Sequence, residues 1–138
     1  MNRYDFQKIA RVRIREAKVL LDNGFYDGAY YLAGYAVECA LKACIAKETK
    51  RYDFPEKESA IRMHTHNLRS LLTESKLDSA FQLETSKNKI FEQNWSVTKD
   101  WSERYRYSLR SDKKAAEDLY SAITSRTNGI LVWLKKHW

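Results

Sequence analysis

Glu38 is a carboxylate in the middle of the most apolar stretch of the chain, Gly28 to Glu48. An unpaired carboxylate is costly to bury, so it requires a partner. Lys42 stands four residues later, in the favourable order for a Glu–Lys pair on one helix face. Such a pair either closes a helix–helix seam or orients a cation or hydroxyl presented by another segment.

A second group lies between Trp95 and Arg110, where Arg104, Arg106 and Arg110 interleave with Tyr105 and Tyr107 behind Trp95 and Trp101. Guanidinium groups match phosphate oxygens in bidentate fashion, and aromatic rings stack on bases. Arginines among aromatics are what a nucleotide or single-stranded RNA site uses. In an extended chain, Arg104 and Arg106 would share one face and Tyr105 and Tyr107 the other. That alternation equally suits a connector with core aromatics and solvated arginines.

The third group is His64-Thr65-His66-Asn67-Leu68. Two histidines two apart could begin a metal site, but no Cys, Asp or Glu stands at a familiar ligand spacing, so neither zinc nor another cofactor is expected. Thr65 or Asn67 is instead expected to cap a helix, with His66 packed beside the cap. The chain has no Gly-rich phosphate loop, nucleophile elbow or HExxH motif.

Helices must position these groups. Phe6, Ala10, Ile14, Ala17 and Leu21 recur at steps of three and four, predicting a helix from Asp5 to Asp22 that Gly24 ends. Lys8, Arg11, Arg15 and Lys18 follow the same period on a flanking face. Asp27 is the expected N-cap of a helix from Gly28 to about Glu48. That segment is apolar nearly all round and rich in Ala and Gly, which places it at the centre of a bundle. Lys50 to Ser59, with Pro55, reads as a loop. Leu68, Leu71 and Leu72 make a short helix, and Asp78 can cap another through Ala80, Leu83, Lys87 and Ile90. The pattern breaks from Trp95 to Arg110. Ala116 through Leu134 then reads as one long final helix. No segment alternates as a strand would.

The expectation is one all-α domain spanning residues 1–138, a four- to five-helix up-and-down antiparallel bundle. Four glycines and one proline in 138 residues suit long helices. The net charge of +7 and pI near 9.4 favour polyanionic partners. No apolar run approaches the ~20 residues of a membrane span, and the first residues do not resemble a signal peptide, so a cytoplasmic location is expected. Cys39 and Cys44, five apart on one helix, point about 140° apart and should be small buried hydrophobes.

The stretch Tyr26-Asp27-Gly28-Ala29-Tyr30-Tyr31-Leu32-Ala33-Gly34-Tyr35-Ala36-Val37-Glu38-Cys39-Ala40-Leu41-Lys42-Ala43 resembles the central helix of HEPN domains. His64 to Leu68 resembles the short signature that follows it, and Arg104-Tyr105 the pair before the last helix. The resemblance covers Asn23 to Arg110. It implies a helical bundle, often a homodimer, associated with nucleotides or RNA. It also implies a prokaryotic setting beside a nucleotidyltransferase, as in toxin–antitoxin and defence pairs. Glu38, Lys42, His66, Arg104, Tyr105 and Tyr107 are then the candidate nucleotide- or RNA-binding residues.

The ribonuclease branch of that family uses an arginine followed by a histidine after four to six intervening residues. Here Leu109, Arg110 and Ser111 occupy those positions after Arg104, and Ser111, Asp112 and Lys113 after Arg106. A histidine serves there because it exchanges protons near neutrality, which arginine and tyrosine do not. No catalytic residue is therefore assigned, and a binding module is expected. The alternative is a divergent metal-independent ribonuclease toxin built on Arg104 and His66.

Overall fold

The computed structural model describes residues 1–49, 61 and 63–138. The expected loop from Lys50 to Ser59 lies outside the described residues. Among those described there are seven α-helices, one 3-10 turn and no strand. In chain order the helices are α1 (Arg3–Asp22), α2 (Tyr26–Glu48), α3 (Leu68–Glu74), α4 (Asp78–Lys87), α5 (Lys89–Thr98), α6 (Lys113–Thr124) and α7 (Ile130–Lys135), with the 3-10 turn at Glu103–Tyr107. The all-helical class holds, although the chain is divided into more pieces than four or five.

α1 begins two residues earlier than its apolar period predicts, because Asn2 and Asp5 form a reciprocal capping box. Its predicted inner face is correct: Ala10, Ile14 and Ala17 are buried. Gly24, at φ +82°, takes the left-handed turn that redirects the chain into α2. Asp27 does not cap α2, since Phe25 holds that position. Asp27 sits inside the first turn and accepts hydrogen bonds from Ser108 Oγ (2.9 Å) and Ser111 N (3.0 Å). A predicted local cap is in fact a long-range tether.

α2 is the central element. Ala29, Ala33, Ala36, Ala40 and Ala43 are all buried, and α1, α3, α6, α7 and the 3-10 turn pack on it. Its small residues bring one of these neighbours unusually close. A Cβ built on Gly34 would lie 2.2 Å from the indole of Trp101. Trp101 is 2% exposed and also stacks on Tyr31, with ring centroids 5.9 Å apart.

The predicted fourth and final helices are each broken, and one hydrogen-bonded knot accounts for both breaks. Asn88 ends α4 and caps α5 by accepting from Phe91 N at 3.1 Å. Its amide also donates to Asn128 Oδ1 at 2.8 Å, while Asn94 Nδ2 donates to the Asn128 carbonyl at 2.9 Å. Asn128 lies in the turn between α6 and α7, and Gly129 closes it. A Cβ there would stand 2.5 Å from the Ser125 carbonyl oxygen. Beyond the break, Trp133 meets Phe81 and Phe91 in a second aromatic cluster. The backbone carbonyl of Trp138 accepts from Arg3 Nη2 at 2.6 Å, and Arg11 stacks over the Trp138 ring.

Two predictions follow from this core. Gly34→Ala forces methyl into indole and should destabilise the protein by about 1–3 kcal/mol in urea denaturation, the usual cost of overpacking. An unchanged midpoint would mean Trp101 does not pack on Gly34. Cys39 and Cys44 are free and buried, and burial raises their thiol pKa values to about 11 and about 12. Native protein should therefore resist thiol reagents near neutrality and react fully once unfolded. Because the folded pKa values are raised, this stabilisation is complete below the ordinary thiol value of 9.0 and is lost as pH rises towards 12. Denaturation midpoints across that range would show the decline.

Candidate functional site

The segment after α5 contains the chemistry, and its local geometry is not extended. Ser102 caps the 3-10 turn by accepting from Arg104 N. Side chains three apart eclipse in such a turn. Arg104 and Tyr107 therefore share a face, while Tyr105 turns inward against Tyr30 with ring centroids 4.4 Å apart. The extended alternation of arginines against tyrosines is thus corrected. Burial, aided by a hydrogen bond with Tyr105, holds the Tyr30 phenol well above its usual range. Trp101 and Tyr105 anchor the segment to α2, and Asp27 ties down its far end at Ser108 and Ser111.

The anchoring leaves an open cleft of about 470 Å³ lined by Arg104, Tyr105, Tyr107, Leu109 and Arg110 together with Asp100, Ser102 and Ser108. Tyr107 is 74% exposed, and Arg106 stacks over its ring at 4.9 Å. Asp100 is already paired with Arg69 at 2.9 Å. Among the described residues, neither Arg104 nor Arg110 has a carboxylate partner. Two guanidiniums without a carboxylate partner among the described residues, and the Tyr107 face opposite Arg106, can receive a phosphate and a base or sugar. Arg110 was not singled out in the sequence as a site residue. Its only signal was membership of the arginine–aromatic run.

Glu38, Lys42 and His66 form a different group. Glu38 is 1% exposed, and its Oε1 accepts from Lys42 Nζ and lies 2.9 Å from His66 Nδ1. A carboxylate only accepts, so in this contact His66 donates through Nδ1. Asn67 caps α3 by accepting from Ser70 N, and Thr65 Oγ1 accepts from Asn67 N, which places His66 over α2. This trio is absent from the lining of the Arg104 cleft. The two groups do share one stripe of α2. Tyr30, Gly34, Glu38 and Lys42 recur every four residues; the first three meet Tyr105, Trp101 and His66 in turn, and Lys42 pairs with Glu38. Glu38 Oε2 and Trp101 Nε1 are buried without hydrogen-bond partners among the described residues.

No cluster of three metal-ligating residues occurs among the described residues, and no helix there is long and apolar enough to cross a membrane. Fold and cleft together define an all-helical domain with a basic, aromatic surface site. A family model for the HEPN domain matches residues 4–136, nearly the whole chain, and the chain belongs to that family. No curated protein and no solved structure matches it.

Glu38→Gln keeps the shape but removes the charge opposite Lys42. It should cost about 1–3 kcal/mol, below the full penalty of breaking a buried pair because Lys42 reaches solvent. Equal stability of wild type and variant in urea would show that the pair contributes nothing.

Proposed function

We propose that this domain is a non-catalytic nucleotide- or RNA-binding module whose site is the Arg104 cleft. One observation carries the reading: Arg104 and Arg110 line the same cleft as Tyr107, neither is paired with a carboxylate among the described residues, and Asp100, which also lines it, is paired with Arg69. A phosphate would be received by the guanidiniums and a base by the exposed Tyr107 ring. Trp101 and Tyr105, held against α2, pre-order the cleft and reduce the entropy lost on binding.

His66 supports binding over cleavage. Its Nδ1 is engaged by Glu38, and it does not line the cleft with Arg104, so the arginines have Asp100, Tyr105 and Tyr107 beside them but no histidine. Glu38 and Lys42 act in this reading from beneath, by holding α3 on the α2 stripe that also carries the cleft. Membership of the family supplies the proposed partners, a nucleotidyltransferase and a second copy of the chain, in a toxin–antitoxin or defence pair. Co-purification and light scattering would test both.

Titration with a nucleoside triphosphate and short oligoribonucleotides at two salt concentrations tests the site itself. Arg104→Ala should weaken binding by roughly 10- to 100-fold, the worth of a charge-assisted hydrogen bond of about 1.5–3 kcal/mol. Binding that is indifferent to this change, or absent from the wild type, would remove the proposal.

A further inference from the structure

A second basic surface lies away from the connector. At about 100° per residue, Lys8, Arg11, Arg15 and Lys18 fall within an arc of about 80° and extend some 15 Å along α1. In the folded chain this row borders a groove of about 240 Å³ between α1, α6 and α7, rimmed by Arg15, Lys18 and Lys135. Tyr120 and Thr124 wall its α6 side, and Ile14 and Leu131 form part of its floor.

Charge balance sets this face apart. On α3 to α6 and on the neighbouring face of α1, cations stand beside carboxylates: Arg13–Glu16, Arg69–Asp100, Lys113–Glu117 and Lys114–Asp118. Of the groove's three cations only Lys18 has such a partner, Asp22, among the described residues. Arg11 stacks on Trp138 and Lys135 lies 5.9 Å from the same ring, contacts that leave both charges uncompensated. Like charges held this close repel, and an anion spanning them relieves the repulsion.

We propose that the groove formed by α1, α6 and α7, with Arg15, Lys18 and Lys135 at its rim, binds the phosphate backbone of single-stranded RNA whose other contact is the Arg104 cleft. The inference rests on the RNA reading of that cleft and narrows it: the ligand is a polynucleotide long enough to reach two sites. α6 borders both, with Asp112 and Ala115 at its start facing the connector and Tyr120 and Thr124 walling the groove, so a strand that reaches both passes around this helix. An acidic protein segment is the rival occupant, because Val132 and Tyr120 leave apolar surface in the groove although Ile14 and Leu131 are buried. Phosphates need only the cationic rim.

The test uses the full chain with a 16-nucleotide oligoribonucleotide and, separately, a nucleoside triphosphate. Each phosphate contact on a single strand contributes about 0.7 to the slope of log affinity against log salt. Arg15→Gln with Lys135→Gln should flatten the slope by about 1.4 and weaken oligonucleotide binding about 25-fold near 0.1 M salt. Triphosphate binding should not change. Arg15→Gln with Lys18→Gln should flatten the slope by about 0.7 to 1.4, less than the first pair to the extent that Asp22 already compensates Lys18, and it leaves the Trp138 contact intact, so a folding defect in the first pair cannot mimic the result. An unchanged slope and affinity in both double variants would overturn the proposal. So would polyglutamate displacing the oligonucleotide at equal charge, because carboxylates would then suffice. If the triphosphate fails to bind while the double variants still weaken the oligonucleotide, the cleft reading falls and the groove stands.

Discussion

Trp101 can reach the backbone of α2 only because position 34 carries no side chain. The indole occupies the space a Cβ would fill, and that one close approach fixes where the chain runs between α5 and α6. The connector and the cleft it forms depend on it. With Trp101 seated on Gly34 and stacked on Tyr31, Tyr105 reaches Tyr30 one turn back along α2. Asp27 then secures the far end of the connector. The segment is held at three points along one helix, which is why an irregular stretch rich in arginine can be ordered.

The 3-10 geometry divides the labour inside that stretch. Aromatic residues that pack on α2 contribute burial, and eclipsing at a three-residue spacing sends Arg104 and Tyr107 outward together. A fully extended connector would have put arginines on one side and tyrosines on the other. It would have offered phosphate contact without a ring beside it. The buried Glu38 charge belongs to a separate task. Lys42 compensates it locally, and His66 brings the start of α3 onto the same stripe of α2.

Legibility of the fold tracked the range of the interactions responsible. α1 and α2 were readable because apolar period, small-residue content and the Gly24 stop all act within a few positions. The Glu38–Lys42 pair was readable for the same reason. The breaks at Asn88 and between Thr124 and Ile130 were not, since apolar periodicity runs through both. They exist because Asn88 and Asn94 bond to Asn128, a partner 34 to 40 residues away. Asp27 shows the same effect. A cap-forming residue in the right place was claimed instead by Ser108 and Ser111, which local spacing cannot reveal.

The sequence by itself determined a helical domain of the HEPN family, an apolar central helix with one compensated charge, and a run of arginines and aromatics able to meet a nucleotide. Those follow from residue type and short spacing, where side-chain chemistry and the 3.6-residue period act directly. Tertiary structure alone decided which aromatics are anchors and which arginines remain uncommitted, that Arg110 joins Arg104, and that His66 turns to Glu38. It also decided that the cations of α1 meet Lys135 across a groove. Each of those depends on a side chain being claimed or left free by a residue distant in sequence, and pairing at that range is settled only when the helices pack.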